Sequence, residues 1–390
     1  MSDTQKHKKL NVPNLRFPGF EGEWGKSYLG EISEYRKERI STSQLTVNTF
    51  VSTENMLPDY GAITAASSVP SSNTVSAFCA GDILLSNIRP YLKKVWQANS
   101  CGGCSNDVLV IQPKRVYDKF LYYIIANDSF INYAMSGAKG VKMPRGDKDQ
   151  LMKYELALPN LTEQEKIASF LYLLDQRIAI QNKVIDKYES LIKAIILRSQ
   201  FSASNRKVYL REILTERKEL NEKGYDICSV SVSKGVVNQV EYLGRSFAAK
   251  ETAHYHVVRK GDIVYTKSPT GDFPYGIIKQ SYLEAPVAVS PLYGVYEPID
   301  YQTGVYLHHF FCSPHNAKNY LHKLIQKGAK NTINITNQHF LDNLICIPER
   351  NTLRGIVSAI ETLSKRVVLE KELLSIYAKQ KTFLLSSLFI

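Results

Sequence analysis

The chain has 390 residues, with 49 Lys and Arg against 37 Asp and Glu, for a formal charge of +12. That length suits two or three domains, and a 44% apolar content excludes wholesale disorder. With no run of about 18 apolar residues and a polar, basic start over Met1–Leu10, neither a membrane span nor a secretory leader is expected, which leaves a basic cytoplasmic protein with an anionic partner, most often nucleic acid.

Residues 13–158 read as a mixed α and β domain. It opens on Pro13-Asn14-Leu15-Arg16-Phe17-Pro18-Gly19-Phe20 with Trp24, then Tyr28-Leu29-Gly30-Glu31-Ile32 and Arg36-Lys37-Glu38. Ser67–Ser72, with Pro70, reads as a surface loop. Gly81-Asp82-Ile83-Leu84-Leu85 leads into the basic, aromatic run Arg89-Pro90-Tyr91-Leu92-Lys93-Lys94. Val108–Ile111 and Leu156–Leu158 have the composition of strands, and Tyr117–Met135 has a helical period carrying Phe120, Tyr123 and Phe130. Between them lies a second basic run, Lys139-Gly140-Val141-Lys142-Met143-Pro144-Arg145.

A long helix follows, assigned to residues 159–201. Thr162 is positioned to cap it, Glu163 and Glu165 suit the positive end of its dipole, and no Pro or Gly interrupts residues 162–201. Leu171, Ile178, Ile185 and Ile192 recur every seven residues, with Ile167, Leu174, Tyr188 and Ile195 as a second seam. Residues 205–347 read as a second mixed domain, with strands near Ala285–Val289 and Leu344–Ile347 and a helical period over Gly304–Leu324. Residues 348–390 form a second long helix. Its seams are Ile360, Val367 and Leu374, and Ile356, Leu363, Tyr377 and Leu384.

The two halves are copies. Tyr28–Ile32 with Arg36-Lys37-Glu38 recurs as Tyr209–Ile213 with Arg217-Lys218-Glu219, and Gly81-Asp82-Ile83 as Gly261-Asp262-Ile263. Gly137-Ala138-Lys139 recurs as Gly328-Ala329-Lys330, and Leu158-Pro159 as Ile347-Pro348, each followed by a basic or helical stretch like the first. The helix offset of 189 residues is twenty-seven heptads, so the phase survives duplication and Gln181 and Glu370 fall at equivalent polar positions. Two such helices in one chain most simply pair with each other, antiparallel. The expected fold is therefore α+β: two tandem mixed α/β variable domains, each followed by a helix of an antiparallel coiled coil.

Catalytic signatures are absent. No Walker A loop, HExxH helix, G-x-S-x-G elbow or Asn/Asp-Pro-Pro-aromatic motif occurs, and no acidic-x-Lys element follows Pro58-Asp59 before residue 100. Cys101-Gly102-Gly103-Cys104 has ligand spacing but no second pair to complete a zinc site, so it reads as ordinary reduced thiols along with Cys79, Cys228, Cys312 and Cys346. His254, His256, His308 and His309 read as structural or surface residues. What remains is basic and polar decoration at equivalent places in both copies. The candidate DNA contacts are Arg36, Lys37, Arg89, Tyr91, Lys93, Lys94, Lys139, Lys142 and Arg145, then Arg217, Lys218, Lys267, Thr270, Lys330, Asn331 and Asn334.

This pattern resembles one family, the specificity subunit of Type I restriction-modification systems. The resemblance rests on the Pro13–Phe20 segment with Trp24, on Gly81-Asp82-Ile83-Leu84, and above all on Leu158-Pro159 with Glu163-Gln164-Glu165-Lys166-Ile167 through Leu174-Asp175 and Ile178. It implies a non-catalytic chain that reads a bipartite site on double-stranded DNA, one domain per half-site, with the helices as a ruler. It also implies two modification subunits supplying adenine-N6 methylation with S-adenosylmethionine, and restriction motor-nuclease subunits using ATP and Mg. One departure stands out: Glu163, Gln164 and Lys166 align with Thr352, Leu353 and Gly355, which implies unequal seats for the two modification subunits. A coiled-coil adaptor without catalytic partners, and a methyltransferase or nuclease with an unrecognised site, are the alternatives.

Overall fold

The computed structural model describes residues 11–71, 73–244, 251–327 and 333–390. Lys330, Asn331 and the Gly328–Lys330 repeat anchor lie outside the described residues, as does Met1–Leu10. The chain divides into two compact units. One takes residues up to Asn182 together with Leu373–Ile390, and the other is Lys183–Glu372. Each unit thus holds one variable domain and part of both long helices.

In the first unit, β1 (Gly25–Tyr28) pairs antiparallel with β6 (Glu155–Leu158), closing the domain at its base. A four-stranded antiparallel sheet runs in the order β2 (Ser33–Tyr35), β5 (Val108–Pro113), β3 (Ile83–Ser86), β4 (Val95–Gln97). Helices α1 (Asp118–Ile125) and α2 (Asp128–Ser136) cover it. The helical period expected over Tyr117–Met135 is therefore broken in two, because Asn127 stops one helix and caps the next, accepting a bond from Ser129 N at 3.0 Å. A second sheet is built from Arg39–Ser41, Thr74–Phe78, Gly102–Cys104 and Phe50–Val51. Gly102 is glycine because a Cβ there would collide with the Thr49 carbonyl and the Phe78 ring, so close packing of this strand accounts for the Cys-Gly-Gly-Cys spacing.

The second unit repeats the plan. Strands β7 (Arg206–Tyr209) and β12 (Leu344–Ile347) pair at the base. The main sheet runs β8 (Leu214–Glu216), β11 (Gly294–Pro298), β9 (Ile263–Tyr265), β10 (Ile278–Gln280). Helices α4 (Tyr301–Phe311) and α5 (Pro314–His322) replace the single helical stretch expected over Gly304–Leu324, with Ser313 as cap and Pro314 opening the second helix. Strand order, antiparallel pairing and the placement of the two helices match the first unit. A hairpin of Cys228–Ser231 with Gly235–Asn238 belongs to this copy.

The long helices are α3 (Leu161–Ser199) and α6 (Arg350–Leu388), each 39 residues. α3 starts within the expected 159–201 range, but its cap is Asn160 and not Thr162: Asn160 Oδ1 accepts from Glu163 N at 2.9 Å, and Thr162 is an exposed first-turn residue. The helices pack antiparallel. In the first unit Lys381 pairs with Asp175 at 2.6 Å, and Arg177 Nε donates to the Tyr377 hydroxyl at 3.2 Å. In the second, Lys371 pairs with Glu189 at 2.7 Å. Of the seam residues, Leu171, Ile185, Ile192, Ile360, Val367 and Leu384 are buried, and Leu174, Ile178, Tyr188, Leu363, Leu374 and Tyr377 are half-buried. The helix termini also serve the domain cores. Ile167, Ala168, Leu171, Leu384, Leu385 and Leu388 join the first core, and Ile192, Ile196, Leu353, Val357 and Ile360 join the second. Within the first unit the segment before β1 lies on the end of α6, with Leu15 N donating to Ser387 O at 2.9 Å and Phe120 5.2 Å from Phe389.

Candidate nucleic-acid interface

The first domain carries a β-arm made of two strand pairs in one register, joined through a turn in which Asp82 N donates to Cys79 O at 3.1 Å. Its base pairs Ser76 with Cys104, Ala77 with Gly103 and Phe78 with Gly102. The ladder continues through Gly81 N to Ala98 O at 2.9 Å and Ala98 N to Asp82 O at 2.8 Å, then Ile83 with Gln97, Leu84 with Trp96 and Leu85 with Val95. The arm therefore runs from one sheet into the other and turns at Arg89-Pro90-Tyr91-Leu92-Lys93.

That turn is strained. Arg89 and Lys93 flank a single 3₁₀ turn with φ of 52° and 53°, and Asp59 and Tyr60, with φ of 53° and 58°, hydrogen-bond to it through Leu92 O and Lys93 O. Left-handed conformations of non-glycine residues persist where the surroundings fix them, and they cluster at functional loops. Lys93 pairs with Asp128 at 2.8 Å, and the Tyr60 hydroxyl donates to the same carboxylate at 2.7 Å. Burial would raise the Asp128 pKa, yet Lys93 and Tyr60 hold the carboxyl below its ordinary range. Lys94 is tied to Thr53 O at 2.5 Å. Arg89 and Tyr91 remain exposed.

The second basic run docks on this turn. Arg89 N donates to Pro144 O at 2.8 Å, Ile88 bridges Arg145, and Lys139 and Arg145 exchange backbone bonds at 2.9 Å. Gly140, at φ 101°, lets the small hairpin reverse, and its tip presents Val141, Lys142 and Met143 to solvent. Lys139 and Arg145 make exposed ion pairs to Asp147 at 2.9 Å and Asp107 at 3.0 Å. The structure thus brings Arg89, Tyr91, Lys93, Lys94, Lys139, Lys142 and Arg145 onto two adjoining loops of one domain.

In the second domain the equivalent loop runs between β9 and β10. Thr270 and Phe273 exchange backbone bonds at 3.1 and 3.0 Å, Phe273 is buried as the anchor, and Thr270 is exposed. Gly276, at φ 103°, sits where a Cβ would collide with the Thr266 carbonyl. Lys267 is half-buried, and desolvation lowers its pKa, with Glu216 acting in the opposite sense. Asn334 lies in a short strand whose Gln326 partner is described by its backbone, while Lys330 and Asn331 lie outside the described residues.

Arg36 and Arg217 stand apart from these loops. Arg36 lays Nε and Nη2 on the Asp82 carboxylate at 2.6 and 3.0 Å, and Arg217 meets Asp262 at 2.7 and 3.0 Å. Both aspartates are buried and both also accept a backbone N–H, from Cys79 at 2.7 Å and Arg259 at 2.8 Å. Each carboxylate bond raises the pKa of its arginine. These two arginines brace the domain, whereas their neighbours Lys37 and Lys218 are exposed. The partnership was visible as a signal: Arg36 and Asp82 are 46 residues apart, Arg217 and Asp262 are 45 apart, and both members duplicate together.

The start of α3 is built from Arg16, Glu163 and Gln164. Arg16 grips Glu163 at 2.7 and 2.9 Å, while Gln164 accepts from Tyr117 N at 3.0 Å and donates to Pro159 O at 2.8 Å. In the second copy Leu353 is buried at the place of Gln164, and Thr352 bonds Glu349 at 3.4 Å. Among the described residues no group of three or more His, Cys, Asp or Glu is arranged to hold a metal, and no helix is long and apolar enough to cross a membrane.

Comparison with known proteins agrees with this architecture. Residues 21–190 match the family model described as Type I restriction modification DNA specificity domain. A stretch of 90 residues is 32% identical to the Type I restriction enzyme EcoDI specificity subunit of Escherichia coli, covering 23% of this chain and 20% of that protein. In fold, the chain is similar to the crystal structure of the Type-I restriction-modification system S subunit from M. genitalium. The TM-score is 0.60 at 14% identity, over 97% of this chain and 99% of that one. A second structure, described under complex assembly and conformational transition of the type I R-M system, gives a TM-score of 0.51 at 16% identity over 93% and 96%. Residues 21–190 are thus similar to the Type I restriction modification DNA specificity domain, and the duplicated domains with paired helices share the fold of the M. genitalium S subunit.

Proposed function

We propose that the chain is the non-catalytic DNA-recognition subunit of a Type I restriction-modification complex, reading a bipartite site with one domain per half-site. The observation that carries this reading is the faithful duplication of one scaffold beneath unlike loops. Sheet order and the arginine–aspartate brace are repeated, while Arg89-Pro90-Tyr91 in one copy stands where Lys267-Ser268-Pro269-Thr270 stands in the other. Equal frames with unequal tips suit two readers of different short sequences. A helix of 39 residues rises about 58 Å, more than a duplex turn of about 34–36 Å, so the helix pair is long enough to set a gap between half-sites.

On this reading, adenine-N6 methylation, with S-adenosylmethionine, belongs to two modification subunits, and ATP- and Mg-dependent cleavage to the restriction subunits. Exposed Lys37, Arg89, Tyr91, Lys142, Lys218 and Thr270 face the DNA, while Arg36 and Arg217 hold the frames. The test is to map methylated adenines in cells carrying the system, before and after residues 13–158 are exchanged for another family domain. One half-site changes and the other is kept if the reading is right; a change in both overturns the modular assignment. Inserting one heptad into each long helix lengthens the unspecified gap, and an unaltered gap removes the ruler role.

A further inference from the structure

Cys79 and Cys101 sit opposite one another on the β-arm. The ladder pairs Phe78 with Gly102 and resumes in the same register with Ile83 and Gln97, so Cys79 and Cys101 both directly adjoin the Phe78–Gly102 rung, Cys79 at the start of a turn that Asp82 N closes on Cys79 O at 3.1 Å. Directly opposed residues of an antiparallel pair have Cα atoms about 4.5–5.5 Å apart, within the span a disulfide bridges. The neighbouring Cys101 thiol raises the pKa of the Cys79 thiol. Cys101 is exposed and Cys79 half-buried, so an oxidant reaches one sulfur with the second beside it. By contrast, Cys104 is buried with its thiol directed at Val108 O, 3.8 Å away.

We propose that Cys79 and Cys101 form a dithiol site that hydrogen peroxide converts to a cross-strand disulfide. Peroxide oxidises the Cys101 thiol to a sulfenic acid and releases one water. The Cys79 sulfur then attacks the Cys101 sulfur, the S–O bond breaks, and the hydroxyl leaves as a second water with the Cys79 proton. The two thiols give up two protons and two electrons, and the peroxide is reduced to two waters. The bond closes residues 79–101 into a ring holding the strained turn Arg89–Lys93 at its far end. It falls where the arm passes from one sheet to the other, next to the Arg36–Asp82 brace that Cys79 N joins. The second domain has no such device: Arg259 occupies the place of Cys79, donating its backbone N–H to Asp262 and pairing with Glu219 at 2.8 Å.

The full-length protein is treated with hydrogen peroxide, remaining thiols are alkylated, and peptides are mapped by mass spectrometry. The expected product is a Cys79–Cys101 crosslink that dithiothreitol reverses, with Cys104 and Cys228 still reduced. Cys79→Ser leaves Cys101 trappable as a sulfenic acid by dimedone, and Cys101→Ser, a change at an exposed position, abolishes the crosslink and leaves Cys79 alkylatable. A Cys101–Cys104 bond, or Cys101 advancing to sulfinic acid beside an intact Cys79 thiol, overturns the proposal.

Discussion

Arg16 closes on Glu163 through two parallel hydrogen bonds of 2.7 and 2.9 Å, and the carboxylate is 1% exposed. The contact fastens the segment before the first domain to the first turn of α3. Its counterpart position in α6 is Thr352, which has no carboxylate to offer. Arg16→Ala leaves Glu163 buried beside no cation, so its unfolding midpoint in urea drops while Thr352→Ala leaves it unchanged; equal midpoints for both variants would contradict the fastening role.

The Arg36–Asp82 and Arg217–Asp262 braces are structural. Arg36→Ala costs about 3 kcal/mol, the lower end of the range for a broken buried pair, because one edge of the guanidinium keeps contact with water. Denaturant unfolding of Arg36→Ala and Arg217→Ala checks this. A pair of variants that lose DNA affinity at full stability would return these arginines to the interface.

Arg89 and Lys142 act differently. Each is exposed on a loop, and its removal leaves stability within about 0.5 kcal/mol. If, as proposed, each contacts a DNA phosphate, its removal lowers the slope of log affinity against log salt by about 0.9. Titrations of the assembled complex at several salt concentrations read that slope directly.

Which helical stripe faces inward is equally open to measurement. Leu171 is fully buried and Leu173, two residues on, is 62% exposed. Leu171→Ala costs about 3 kcal/mol and Leu173→Ala about 0.5 or less. Thermal melts of the two variants separate the cases.

The second domain titrates as a stability element. Burial holds His308 well below its ordinary pKa, and burial lowers His309 to about 4. His308 Nδ1 accepts the Gln280 N–H at 2.9 Å, a bond that requires an unprotonated nitrogen. The unfolded chain therefore binds more protons than the folded one below about pH 6.5. Stability is full above that value and falls as pH drops toward 4. Urea midpoints at pH 7.5 and 5.0 show the loss, and His309→Gln makes it shallower.

Much of this architecture was legible because duplication and a seven-residue period are long-range signals. Ile178 and Val367 announce their seams without reference to anything outside their own helix. The sheets were not legible: β8 lies beside β11, some eighty residues away, and no local pattern records that pairing. Nor does local pattern record that Arg36 turns inward to Asp82 while Lys37, beside it, turns outward. Charge alone identifies candidates for an anion. Which of them are consumed by buried carboxylates depends on contacts across tens of residues. The caps followed the same rule, since Thr162 and Asn160 are both capable by residue type and Asn160 is the one that accepts from Glu163 N.

The bond from Leu15 to Ser387 has a consequence for how damage is mapped. Leu384, Leu385 and Leu388 belong to the core of the first domain, although more than two hundred residues separate them from its last strand. A frameshift near codon 384 would spare the adjacent second domain and unseat the first. A defect in the first domain can therefore have its lesion near the opposite end of the gene.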